Sequence, residues 1–486
     1  MALLALFILF LLSILSLVLF LKPSSKKLPP GPFSWPIIGT QLPSPTMKPN
    51  LELFKLAQRY GPLMLFRFGF ENVVVASNHV AAMEVLKNQD RVLSGRFKAN
   101  SVRVKGYIEY SMVWADCTDY WKMVRKILRT ELFSTKMLDV HAHVREEKVS
   151  ELMKFLRRKE GEEVNFVDVI FGCILNMLGA LIYSKDVYDF EDKTDINLGM
   201  KGMIRQLMIL AATPNIADLY PIFFDGSDFQ GLRKESAACV KRMSESWAAI
   251  INERRKNNDH TKNDLLQVLL DSGFSDPQID AIFLETFGPG SDTSASTIEW
   301  ALAELLRNPE KLVKLHEELD RVIGRNNTVK DSDLPNLPYL HACVKETLRL
   351  HPPVPFLIPH IALESCEVMN YTIPKGSEVL VNLYAIGRDP TTWDNPNSFL
   401  PERFLNSEVD YQGNHFQYIP FGAGRRMCPG MSLGTRVVRL ILAALVHTFD
   451  WSLPGGMHQD ELDMADRFGV GFQKETPLVV IPTLRK

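Results

Sequence analysis

Chemistry is densest in the run Phe421 to Gly430, FGAGRRMCPG. Glycines so closely spaced allow tight turns and bring backbone close to a flat ligand. Pro429 directly after Cys428, followed by the amphipathic run MSLGTRVVRLILAALVHTF, places the cysteine at a helix start. That position, with Arg425 and Arg426 beside it, favours a thiolate. A thiolate on a glycine-rich loop suits a soft metal, above all a haem iron with one axial protein ligand. The alternative is a buried cysteine in a turn. A second constellation is Glu346-Thr-Leu-Arg349, an acid and a base on one helix face, with Arg403 following in FLPERF. On a surface such a pair contributes little. A third is FGPGSDTS, residues 287–294, where Pro289 stands inside a helical pattern just before Asp292 and Thr293. Proline there removes an N–H and clashes with the carbonyl four residues back, costing about 3 kcal/mol.

The elements that position these groups are mostly helices. Apolar residues recur at three and four from Val80 to about Leu350. The helix carrying FGPGSDTS begins at Ser275 or Asp276 with Pro277 and stops at Asn308-Pro309, a length of roughly 46 Å. Strands are expected at 63–69, 72–77, within 366–382, and at 478–482. Residues 1–21 contain no charged side chain and can cross a bilayer as a helix; Lys22, Lys26 and Lys27 mark the cytosolic side. A cleaved signal peptide fits less well, because the basic flank follows the apolar run and no A-x-A site is evident. Residues 22–39, with Pro29, Pro30, Pro32 and Pro36, form a basic, proline-rich hinge that reads as a stiff spacer, and residues 40–486 form the catalytic domain. The six cysteines form no CxxC pair, which excludes zinc ribbons and small disulfide frameworks and agrees with a reducing compartment. A net charge of −2 gives no basic excess for nucleic acid.

Taken together, these motifs resemble the cytochrome P450 haem-thiolate monooxygenases of plant microsomal type. FGAGRRMCPG matches that family's FxxGxxxCxG, ETLR its ExxR, FLPERF its PERF, Trp121 to Arg125 (WKMVR) its WxxxR, and GSDTS its oxygen-binding helix. The resemblance covers essentially the whole chain. It implies a mainly α fold, one large helical unit with small sheets, although length alone would favour several domains. It further implies haem b with Cys428 as metal ligand, Phe421, Gly424 and Gly430 forming the loop beneath it, and Trp121, Arg125, Arg426 and His360 on the propionates. Glu346, Arg349 and Arg403 become a buried structural network near the cysteine loop. Asp292 and Thr293 organise proton delivery to bound O2. The stripe Lys122, Lys126 and Arg129 faces NADPH–cytochrome P450 reductase, which supplies electrons from NADPH, and residues 1–21 anchor the chain in the endoplasmic reticulum membrane with the catalytic domain cytosolic.

Most relatives carry Ala or Gly where this chain has Pro289, at a place where the helix opens over the haem. The proline then leaves a carbonyl near Glu285 without its partner and reshapes the distal wall. This departure, with KETLRLHPPVP, resembles a plant alkaloid branch whose members couple phenol rings, hydroxylate benzylisoquinolines or rearrange littorine. Oxidative phenol coupling of a benzylisoquinoline is the reading taken; hydroxylation, tropane rearrangement and a haem-thiolate isomerase or dehydratase are the alternatives. Family positions place the apolar pocket at Ser111, Met112, Val113, Phe283, Phe287, Pro289, Val354, Phe356, Leu357, Val470 and Phe472.

Overall fold

Ser275 and Gln278 start the longest helix, Asp276–Arg307, through a capping box: the Gln278 side chain accepts the Ser275 N–H at 2.9 Å. Pro277 occupies its first turn and Asn308 closes it before Pro309, as the sequence implied. The computed structural model of the chain describes residues 7–8, 10–13, 27–35, 37–40, 48–191, 199–257, 264–467, 469 and 471–485. The proposed anchor, residues 1–21, therefore lies largely outside the described residues.

Around the long helix pack Phe166–Tyr183, Leu232–Asn257, Pro338–Leu350 and Met431–Thr448. Phe166–Tyr183 has a mean hydropathy of 2.0, yet 89% of it is buried inside the protein. It is a core helix, because it is apolar all round and other helices cover it. The long helix runs unbroken through Pro289. The expected opening is absent as a break. Gly288 and Gly290 flank the ring; a Cβ on Gly288 would meet nothing nearer than 4.0 Å, whereas one on Gly290 would press on Leu178 at 3.3 Å.

One five-stranded sheet sets Leu63–Phe68, Glu71–Ala76, Glu378–Val381, His360–Ile361 and Gly95–Arg96 side by side in that order. Its register pairs Arg96 directly with His360. The proline-rich hinge does not stand clear of the globule. Pro30 O accepts the Leu65 N–H at 2.9 Å and Thr40 N–H reaches Arg67 O at 2.7 Å, so this segment lies along the sheet edge.

Glu346 and Arg349 are fully enclosed. Arg349 donates from Nε to Glu346 Oε2 at 2.7 Å and from Nη2 to Oε1 at 2.8 Å. Its remaining donors meet the carbonyls of Gly387, Pro396 and Ser398. Arg403 Nε (3.0 Å) and the Leu400 N–H (2.8 Å) complete the carboxylate. Every charge is paired and hydrogen-bonded, the condition under which buried ions persist.

Candidate active site

The Cys428 loop is held by its own backbone. The Cys428 N–H donates to Phe421 O at 2.9 Å, and Gly422 and Gly424 take positive φ of 71° and 67°. A Cβ on Gly424 would lie 2.2 Å from Leu86 O, so no other residue fits there. Gly430 directly precedes the helix Met431–Thr448, and Phe421 packs edge-on against Tyr411 at 5.6 Å. The sulfur opens onto an internal cavity of about 350 Å³. Burial pushes the Cys428 thiol up; the backbone N–H groups of Gly430 and Met431 and the Arg125 cation oppose that rise without reversing it. The cation beside the sulfur is Arg125, not the Arg425 and Arg426 that the sequence suggested. Arg425 is bound to Asp90 at 2.8 Å, and Arg426 turns to Ser94 O and Ala115 O.

Three guanidinium groups share the cavity wall: Arg96, Arg125 and Arg426. Arg125 donates to Met427 O at 2.8 Å and Arg96 to Ile358 O at 2.5 Å. Arg125 and Arg426 both lie against the Trp121 ring, at 4.8 and 4.9 Å. The indole N–H of Trp121 is committed to Met112 O at 2.9 Å, so Trp121 positions the arginines rather than presenting its own donor. Arg96 Nε and Arg426 Nη1 are buried without partners. Burial, reinforced by Arg426, pushes the Arg96 pKa down to about 9. His360 stands behind Arg96, with Nδ1 on Leu93 O at 2.6 Å, and burial, then Arg96, hold its pKa well below the ordinary value. Three mutually repelling cations, two of them with orphaned donors, call for anions, and the two propionates of a haem would fit them. The residues present therefore fit the group: Cys428 would ligate its iron and the arginine wall would hold its carboxylates. Arg96 escaped the sequence reading because only the cross-strand register with His360 brings it here.

The long helix forms the opposite wall. Pro289 and Thr293 line the cavity, and the Thr293 hydroxyl donates to Pro289 O at 2.6 Å. Asp292 turns away, as adjacent helix positions must. Its Oδ1 accepts from Gln473 Nε2 at 2.7 Å, while Oδ2 is buried without a partner beside Gly471. Burial raises its pKa. Gln473 is the second residue missed, being 181 positions from its partner.

The pocket expectations divide. Met112, Val113, Pro289 and Val354 line the cavity. Phe283 and Phe287 do not: both are fully buried against Trp247, at 5.5 and 6.1 Å, in the packing behind the helix. Phe356 packs with Leu53, Met64 and Phe66 under the sheet, and Leu357 packs against the second core cluster at a positive φ of 55°. Phe472 stacks on Trp300, and its carbonyl accepts the Ser296 hydroxyl at 2.8 Å. Val470 lies outside the described residues. Ser111 spends its hydroxyl on Glu285, a cavity residue whose carboxylate also takes the Met112 N–H at 2.6 Å. Leu178, Met208 and Met243 supply apolar wall that the sequence could not separate from core. Lys122, Lys126 and Arg129 are exposed on one helix, Lys122 pairing with Asp119 at 2.9 Å.

The chain is similar to corytuberine synthase of Coptis japonica, 49% identical over 478 residues covering 97% of each chain. It is also 46% identical to berbamunine synthase of Berberis stolonifera, over 97% of this chain and 98% of that one. Isozyme 1 of (S)-N-methylcoclaurine 3'-hydroxylase from Eschscholzia californica is 48% identical over 95% of each chain. Among solved structures, a zebra fish cytochrome P450 with progesterone superposes with a TM-score of 0.77 at 27% identity, covering 90% of this chain and all of its own. The cytochrome P450 family model matches residues 29–479. The thiol, the arginine wall and the threonine thus meet around one cavity, and the chain belongs to the cytochrome P450 family.

Proposed function

We propose that this oxygenase acts in plant alkaloid biosynthesis and joins two phenol rings of a benzylisoquinoline, within or between molecules. Haem b held by Cys428 supplies reductive activation of O2, with electrons from NADPH delivered by NADPH–cytochrome P450 reductase. Two protons and two electrons leave the phenols, NADPH and a proton supply the other two protons and two electrons, and both oxygen atoms of O2 leave as water. The residues Arg96, Arg125 and Arg426 hold the propionates; Asp292 and Thr293 relay protons; Lys122, Lys126 and Arg129 receive the reductase. Residues 1–21 anchor the chain in the endoplasmic reticulum membrane, 22–39 lead into the catalytic domain, and 40–486 form it.

The observation that carries this reading is Pro289, whose ring lies on the cavity wall one turn from Thr293. It fills space beside the oxygen groove and limits how closely a ring carbon approaches there, while a phenol hydroxyl still reaches. Hydroxylation is the second reading, favoured by relatives such as the (S)-N-methylcoclaurine 3'-hydroxylases. Turnover of N-methylcoclaurine under isotopically labelled O2 decides between them. Coupling puts no label in the product; efficient incorporation of one labelled atom makes the enzyme a hydroxylase.

A further inference from the structure

The cavity is electrically lopsided. Its cations, Arg96, Arg125 and Arg426, share one wall, whereas Glu285 on the long helix is the only carboxylate lining it among the described residues. Glu285 is buried, and its oxygens accept from the Tyr107 hydroxyl at 3.1 Å, the Ser111 hydroxyl and the backbone N–H groups of Met112 (2.6 Å) and Val113 (3.1 Å). All of these donors are neutral. No lysine or arginine among the described residues forms an ion pair with it, and burial pushes its pKa up to about 7 against the pull of these donors. A buried carboxylate with neutral donors only is a costly arrangement unless a cation joins it.

The helix fixes where that cation sits. Pro289 lies one turn beyond Glu285, about 6 Å along the axis, and Thr293 two turns, about 12 Å. A benzylisoquinoline has an aliphatic ring nitrogen, protonated at neutral pH, with its phenol rings several bonds away. We propose that Glu285 holds the protonated nitrogen of the substrate, so that the phenols extend past Pro289 toward Thr293 and the Cys428 side. The carboxylate's acceptor sites are already taken, so the incoming N–H displaces one donor. Tyr107 is that donor. Its 3.1 Å contact is the longest hydroxyl contact to Glu285, it lines the cavity itself, and it retains a partner in Trp114 Nε1 at 3.1 Å. This assignment rests on the alkaloid reading and names the group that recognises that class.

The test uses the haem-loaded protein and substrate-induced spectral shifts, with N-methylcoclaurine as the cationic probe and N-acetylcoclaurine as its uncharged counterpart. Glu285→Gln raises the dissociation constant of the amine at least about tenfold and leaves the amide within about twofold. Tyr107→Phe tightens the amine and leaves the amide unchanged, which keeps the test open if the glutamine variant loads haem poorly. Equal loss of both probes in Glu285→Gln, or loss of amine binding in Tyr107→Phe, overturns the assignment and makes Glu285 a latch for the loop 107–113. If the wild type prefers the amine and Glu285→Gln preserves that preference, the alkaloid class stands and Glu285 does not hold the charge. If the wild type binds neither probe, the alkaloid reading falls and the assignment falls with it.

Discussion

Behind the cysteine loop, Glu346 accepts three separate donors while Arg349 reaches three backbone carbonyls besides its acid. Across the cavity, the long helix leaves its polar groups half-engaged. Asp292 has one oxygen bonded and one orphaned, and the Thr293 hydroxyl turns back onto the carbonyl of Pro289. The first region is over-determined, as a structural network must be. The second keeps donors and acceptors in reserve, so they can change partners during turnover. Rigidity belongs where an iron must be held, and spare valence where protons must move.

Breaking the over-determined side has the largest effect. Glu346→Ala leaves Arg349 buried, and the half-buried Arg403 beside it, without a counter-charge and costs about 3–5 kcal/mol, a large share of the stability of an ordinary domain. The expected outcome is loss of soluble, haem-loaded protein, measured as yield and thermal midpoint. A variant that loads haem normally would show that the network is not what holds the loop.

Asp292→Asn sharpens the other side. The amide oxygen keeps the Gln473 contact but carries no proton, so product formed per NADPH falls by about 10²-fold with substrate binding unchanged. Stability moves the other way. Burial raises the folded pKa of Asp292 above its unfolded value, so the folded state takes up the proton more readily. The resulting penalty grows as pH rises from the unfolded value through the folded one and is complete above it. Asparagine removes it, and the thermal midpoint at neutral pH rises. Activity and stability falling together would mark Asp292 as structural.

The two sides also differed in how far they could be read from sequence. The cysteine loop, the Glu346–Arg349–Arg403 group, the long helix's ends and half of the strands were legible, because each depends on local spacing, caps or turn chemistry. Arg96 and Gln473 were not, since each joins its partner across the chain through a register or a terminal loop. Phe283 and Phe287 show a different limit. Helical periodicity identifies a buried face without saying whether a cavity or another helix covers it. Cys428 shows a third: two arginines adjacent in sequence suggested the charge that favours a thiolate, but their side chains point elsewhere and Arg125 lies nearer the sulfur's field.

The smallest effect is expected at Pro289, and it bears most directly on what the half-engaged side does. Proline denies the Glu285 carbonyl its helical N–H, yet the helix passes through without a break. No local opening spares the helix that loss, and Pro289→Ala restores one hydrogen bond worth about 1 kcal/mol. For a chain of this size that raises the thermal midpoint by about 2 °C. The substitution also trims a ring to a methyl group beside Thr293, opening room in the wall where a substrate carbon approaches. If the ring steers the reaction toward coupling, the variant diverts a measurable fraction of N-methylcoclaurine to a product bearing an atom of labelled O2. A higher midpoint with an unchanged product ratio would make Pro289 a tolerated helix defect. A changed ratio makes it the residue by which this wall, already carrying Glu285 one turn away, governs where the oxidising equivalents go.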